Sequence, residues 1–347
     1  FEGSIYYNSS NGQFEFVGLG TGAWSSGGNM NTARRDGGGD GTQTAGWIAA
    51  GYHGSGPGLA DEHEQYDGTS WTEVADVNTA RQALTGAGTT TAAIVAAGSI
   101  PAVTNVTESW DGSSWTEVSD TNSGRNYRMG AGTSTAMLLV GGQPPQSANV
   151  ESWDGSSWTE TTDMNTARRV GFSSNQGSVT ATLIATGSNN ANQNTESWDG
   201  SSWTELNNVN TGGEAGSSIG VQTSGIFAGG YRGGYSDKNE LWDGTSWSES
   251  ADLNTGRGYV ASGGSNSSLG FLAGGLEPAV SSKTEVWNGS SWTEVSDLGT
   301  ARNLTGQTGG TSGSGILAGG RVPPATANTA ASEEWTAPLT NKTITTS

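Results

Sequence analysis

Three groups of side chains in this 347-residue sequence have types and spacings that could do chemistry. The first is local. Asp61-Glu62-His63-Glu64, with His53 ten residues earlier, brings imidazole and carboxylate donors into a Gly-rich stretch, a set that could hold Zn or another divalent ion. The competing reading is an exposed acidic loop running into a strand, with Glu62 and Glu64 on one face and His63 on the other. We favour it, and expect no metal and no other cofactor. The second group is distributed. A glutamate stands two residues before an aromatic at Glu64, Glu108, Glu151, Glu196, Glu240, Glu285 and Glu333, and turn arginines recur at Arg34, Arg81, Arg125, Arg168, Arg257 and Arg302, with Gly213 as the exception. A flat, forked guanidinium suits a partly buried carboxylate better than an ammonium does, so this pattern reads as structural pairing. The third group is Tyr52-His53, Tyr231-Arg232 with Tyr235, and Arg321, aromatic and basic side chains that suit carbohydrate or protein recognition.

Charge and composition exclude several functions. Fourteen Lys and Arg against 33 Asp and Glu give a net charge of −19, which leaves no footprint for nucleic acid and opposes anionic lipid surfaces. The absence of Cys removes thiolate nucleophiles, Cys-ligated metals and disulfides. No apolar run reaches the roughly 18 residues of a membrane span, so no membrane insertion is expected, and the N-terminus shows no secretory signal. Phe1 in place of Met points to a fragment or a processed product. Only 32% of residues are hydrophobic, yet there are 14 Trp and 57 Gly, which favours an ordered, turn-rich β protein with an aromatic core over a disordered chain.

The tryptophans are periodic. Trp24, Trp71, Trp115, Trp158, Trp203, Trp247 and Trp292 are separated by 43 to 47 residues, and five residues before each from Trp71 on sits Tyr66, Trp110, Trp153, Trp198, Trp242 or Trp287. A period near 44 with four short strands per unit is the signature of a β-propeller. In the second unit, strands a to d fall near residues 83–89, 92–98, 106–110 and 115–118. Asp111-Gly112 opens a tight c–d turn in which Gly supplies positive φ. The small-residue strand b is expected to crowd the central axis, with the aromatics filling the wider space between blades. Trp24 lacks a preceding partner and Trp335 lacks a following one, so pairing the N-terminal strand with the C-terminal strand closes seven blades. The expected organisation is a lead-in hairpin over residues 1–17, an all-β, seven-bladed propeller of four-stranded antiparallel blades over 18–337, and a tail over 338–347. Glutamate and aromatic then share one face of strand c, and the Glu–Arg pairs should bridge neighbouring blades, leaving the glutamate that faces Gly213 more exposed or bound by something else.

Glu151-Ser152-Trp153-Asp154-Gly155-Ser156-Ser157-Trp158, followed by Asp163-Met164-Asn165-Thr166-Ala167-Arg168, resembles the kelch repeat across all seven units, with a shorter c–d loop and Trp in place of Tyr. The near-identical units, the Tyr6-Tyr7-Asn8 lead-in and the Glu334-Trp335-Thr336 exit also resemble kelch-like virion proteins of marine tailed phages. Galactose oxidase shares this fold class, but its copper site and Tyr–Cys crosslink cannot be built without Cys. The Asp-Gly-Ser-Ser turns resemble the sialidase Asp-box with one residue missing, and acidic residues recur once per blade as a scaffold requires, so a glycosidase ranks third. In an up-and-down blade the b–c and d–a loops share one face. The b–c loops, residues 52–61, 99–105, 143–149, 188–194, 231–239, 276–283 and 321–332, differ in every unit, while the c–d loops are nearly uniform. The expected function is therefore recognition without catalysis. The resemblance implies a phage adhesin or tail-fibre head on the virion surface, with other virion proteins and a host-surface glycan or protein as partners. A structural virion decoration is the alternative.

Overall fold

The computed structural model describes residues 5–343 except 11, 55–57, 128, 175–177, 189–192, 306 and 325–326. Parts of the loops 52–61, 188–194 and 321–332 and of the terminal segments thus lie outside the described residues. The described chain is all β, with seven antiparallel four-stranded sheets arranged as the blades of a propeller. Blade 1 consists of strands a to d at Gly38–Thr42, Ala45–Tyr52, Leu59–Tyr66 and Trp71–Val74. Blades 2 to 6 follow in order, with their a strands beginning at Thr85, Met129, Phe172, Ile219 and Ala261. Blade 7 is composite. Gln307–Gly310, Ser314–Ala318 and Ala331–Thr336 are its strands a to c, and the N-terminal Ala23–Asn29 is its strand d. Trp24 pairs directly with Trp335, so the ring closes as the unpaired tryptophans foretell.

The order of strands corrects one expectation. Strand a, not b, is innermost, and neighbouring a strands lie side by side around the axis. Glycine is concentrated there, as in Gly38-Gly39-Asp40-Gly41 and Thr85-Gly86-Ala87-Gly88. Strand b is covered on both faces and is correspondingly aliphatic, with Ile94, Val95, Leu138, Leu139, Leu183 and Ile184 fully buried. The loop assigned to residues 99–105 is also mostly strand. In blade 2, strands b (Ala92–Ile100) and c (Ala102–Trp110) continue into a tight hairpin with a bulge between Thr104 and Thr107.

Each boundary between blades holds one apolar cluster. Between blades 1 and 2, Trp47 and Ala49 meet Val95, Trp110 and Trp115. At the boundary of blades 7 and 1, Met30, Ile48, Tyr66 and Trp71 meet Ile316 and Ala318. Each large apolar side chain so buried contributes on the order of 1.5–3 kcal/mol. A buried indole must also satisfy its N–H. The first Trp of a unit does so within its blade: Trp110, Trp153 and Trp198 donate to the carbonyls of Thr90, Ser134 and Val179 in their own a–b turns. The second Trp donates across the boundary to strand c of the preceding blade, Trp71 to Ser332, Trp115 to His63, Trp158 to Thr107, Trp247 to Thr195 and Trp24 to Thr284. At the two remaining boundaries the equivalent positions hold Val150 and Asn239, and the indole nitrogens of Trp203 and Trp292 are buried without a partner.

The Glu–Arg partners meet in all six units that carry both. Arg34–Glu64, Arg81–Glu108, Arg125–Glu151, Arg257–Glu285 and Arg302–Glu333 approach to between 2.5 and 3.0 Å, and Arg168 pairs with Glu196. They do not bridge two blades. Each Arg lies on the turn entering a blade, and its Glu is on strand c of that same blade. What the pair secures is the linker from the preceding blade, because Glu64 also accepts from the Asn31 backbone N–H, the Asn31 amide and the Thr32 N–H. Burial pulls the Arg168 and Arg302 guanidinium groups below their ordinary range, opposed by the facing carboxylates. Glu240, whose unit has Gly213 instead of Arg, is not more exposed. It is 1% exposed and held by Asn210 and Thr211.

The terminal segments form a further sheet. Ile5–Asn8 pairs with Gln13–Leu19, which pairs in turn with Leu339–Thr343. These strands continue the c–d pair of blade 7 beyond Trp24 and Trp335, so the terminal sheet projects from the c–d face, opposite the b–c loops.

Candidate functional site

The b–c face is organised by a collar of seven residues, each two positions after the turn Arg or its Gly213 equivalent. Asp36, Ala83, Tyr127, Val170, Ala215, Tyr259 and Leu304 all adopt φ between 50° and 56°. For side chains with a Cβ this left-handed conformation costs on the order of 1–3 kcal/mol each, so surrounding contacts must impose it. Backbone bonds do so around the mouth of the channel: Ala83 N–H donates to Asp36, Ala215 to Val170 and Tyr259 to Ala215. At six of the seven positions the preceding residue bridges to the end of strand b or to the chain just after it, as in Arg35 with Tyr52, Glu214 with Tyr231, Gly258 with Leu276 and Asn303 with Arg321. The residues around the mouth are thus set on a rigid frame although they belong to loops.

A cavity of about 390 Å3 opens on this face across blades 5 to 7. That lies within the ~300–1,000 Å3 range of small-molecule sites. Tyr231 and Tyr235 form one wall, edge to face at 5.4 Å and 65°. Tyr259 and Glu214 also line the cavity, Leu276 and Leu304 add apolar surface, and Arg321 contributes from blade 7. Burial and the Glu214 carboxylate both raise the Tyr259 pKa, with Arg169 opposing, so the phenol stays protonated at neutral pH. Burial likewise raises Asp36, against the opposing charges of Arg35 and Arg321. The arrangement offers aromatic faces, phenol hydroxyls, one carboxylate and one guanidinium to a single ligand.

Of the residues singled out in the sequence, Tyr231, Tyr235 and Arg321 line this cavity. Arg232 does not, because its guanidinium turns back to Ser236 Oγ at 2.8 Å. Tyr52 and His53 lie on blade 1, outside the cavity. The Arg35 guanidinium stacks 4.8 Å from the Tyr52 ring centre, and His53 Nε2 is 3.4 Å from Glu62 Oε1. His63 is buried in the boundary of blades 1 and 2, where it accepts from Trp115 and is removed from His53 and its loop. Glu214, Tyr259, Leu276 and Leu304 were missed by the sequence reading. Their signal was positional, since three of them occupy the one or two places after each turn Arg.

The opposite face is different in character. Asp111 accepts from the backbone and hydroxyl of Ser113 and from the backbone of Ser114, which brings its pKa down to about 2, and Asp199 and Asp243 behave alike. Those carboxylates are used up by their own turns.

No known protein family matches the sequence, and no curated protein matches it. Solved structures do match in fold. One described as "Structure of YjhT", itself a propeller, superposes with a TM-score of 0.57 over 77% of this chain and 98% of its own, at 16% identity. At that identity the likeness concerns the propeller architecture.

Proposed function

We propose that this chain is a non-enzymatic binding module whose b–c face takes a surface glycan. The observation that carries this reading is the tyrosine-walled cavity held by the collar. Sugar rings stack their C–H faces on aromatic rings, and Tyr hydroxyls, Glu214 and Arg321 supply the hydrogen bonds that fix orientation. Binding is favoured over hydrolysis because glycoside cleavage in its common form takes two carboxylates, and Glu214 is the single one lining the cavity among the described residues. The resemblance to kelch-like virion proteins supports a finer assignment, a virion adhesin that contacts a host-surface glycan.

The test is a glycan array followed by calorimetry on the intact chain, with Tyr231→Ala and Tyr259→Ala as variants of unchanged thermal stability. Binding by the wild type with at least a tenfold loss in either variant supports the reading. No glycan binding leaves structural decoration of the virion as the better account, and turnover of a bound glycoside would make the chain an enzyme.

A further inference from the structure

We propose that the glycan accepted at this mouth carries an acidic group, a carboxylate or a sulfate, which Arg321 receives with Arg169 adding to the local field. The inference rests on the glycan reading of the cavity and narrows it. The chain has 14 basic and 33 acidic residues. Six arginines are buried against the repeated glutamates. Arg35 pairs with Asp36, Lys238 with Asp252 and Lys283 with Glu277. Among the described residues Arg169, Arg232 and Arg321 make no ion pair, and all three belong to the b–c face. An arginine without an ion pair among so many carboxylates has charge to offer a ligand, although the Arg321 charge also acts on the Asp36 carboxylate, which is itself paired with Arg35.

The geometry of two of them favours an anion. Arg321 donates through Nε to Asn303 Oδ1 at 3.2 Å, and Arg169 donates through Nε to Ser188 Oγ at 2.7 Å. Both anchors are neutral, and both use Nε. The two terminal amino groups, which form the fork that matches a carboxylate or sulfate, have no partner among the described residues. Arg232 differs, because it spends a terminal nitrogen on Ser236. Arg321 lines the cavity, and the charge of Arg169 acts on both Tyr259 and Tyr127 at the mouth. Glu214, in the same cavity, repels an anion placed beside it and accepts hydroxyl protons. The ligand is thereby oriented, acidic group toward Arg321 and hydroxyls toward Glu214.

The experiment compares matched saccharides on the intact chain by calorimetry: an oligogalacturonate against its carboxyl-reduced counterpart, and a sulfated galactan oligosaccharide against its desulfated form. The expected result is at least tenfold tighter binding of the acidic member of one pair at low salt. That preference should shrink in 0.5 M NaCl, vanish in Arg321→Gln, weaken in Arg169→Gln and partly return in Arg321→Lys, all without a change in melting temperature. Equal binding within both pairs, or a preference that survives Arg321→Gln, overturns the inference while leaving the glycan site standing. If no saccharide binds, the glycan reading falls and this inference falls with it.

Discussion

His63 Nδ1 accepts the indole proton of Trp115 at 3.0 Å across the boundary of blades 1 and 2. It thus does the work done by the hydroxyls of Thr107, Thr195, Thr284 and Ser332 at four other boundaries. The bond requires the neutral ring with its proton on Nε2. Burial lowers the imidazole pKa from 6.5 to about 3.

A pH dependence follows. Below pH 6.5 the unfolded chain takes up a proton at this site and the folded chain does not. The contribution of His63 is therefore complete above pH 6.5 and is lost progressively as pH falls toward about 3, at up to about 1.4 kcal/mol per pH unit. His63→Thr keeps an acceptor for Trp115 and removes the titration. Its stability between pH 6.5 and 4 should decline less steeply than that of the wild type in denaturant titrations, and identical slopes would refute the assignment.

Val150→Thr addresses the opposite case. It supplies a hydroxyl where Trp203 has a buried N–H without a partner, in a side chain of nearly the same shape. We expect a gain of about 1 kcal/mol, read as a higher denaturation midpoint with an unchanged slope.

Glu196→Gln and Glu240→Gln should separate. The first leaves the buried Arg168 guanidinium without a counter-charge and should cost about 3–5 kcal/mol. The second disturbs only amide donors and should cost about 1–3 kcal/mol. Equal losses would mean that the carboxylates act through the linker amides alone.

Ring closure can be probed by truncation. Removing residues 1–12 takes away only the outermost strand of the terminal sheet and should leave the melting temperature within a few degrees. Removing residues 1–29 deletes strand d of blade 7 with Trp24, exposes the Trp335 edge, and should abolish cooperative unfolding in circular dichroism.

Much of the fold was legible because aromatic spacing reports blade number directly, and the unmatched Trp24 and Trp335 specify how the ring closes. The charge pattern was legible as pairs but not as to which blade they serve, since that depends on where a linker lands rather than on residue type. The collar left no compositional trace. Its members are Asp, Ala, Tyr, Val and Leu, none of which advertises a left-handed backbone as glycine does. For the same reason residue type did not mark Tyr259 and Leu304 as site residues, and only their place after the turn Arg could have, whereas the variable loops led to Tyr231, Tyr235 and Arg321.

The terminal sheet projects from the face opposite the tyrosine cavity. A copy fixed to a support through that sheet would hold its cavity outward. Several copies on one support would meet a polymeric ligand as a brush. If the mouth takes a saccharide as proposed, engagement of one copy would present the next repeat of the polymer to its neighbours at an effective concentration on the order of millimolar for short tethers. Strong attachment then requires no more than a weak grip in each mouth, and release can proceed one mouth at a time.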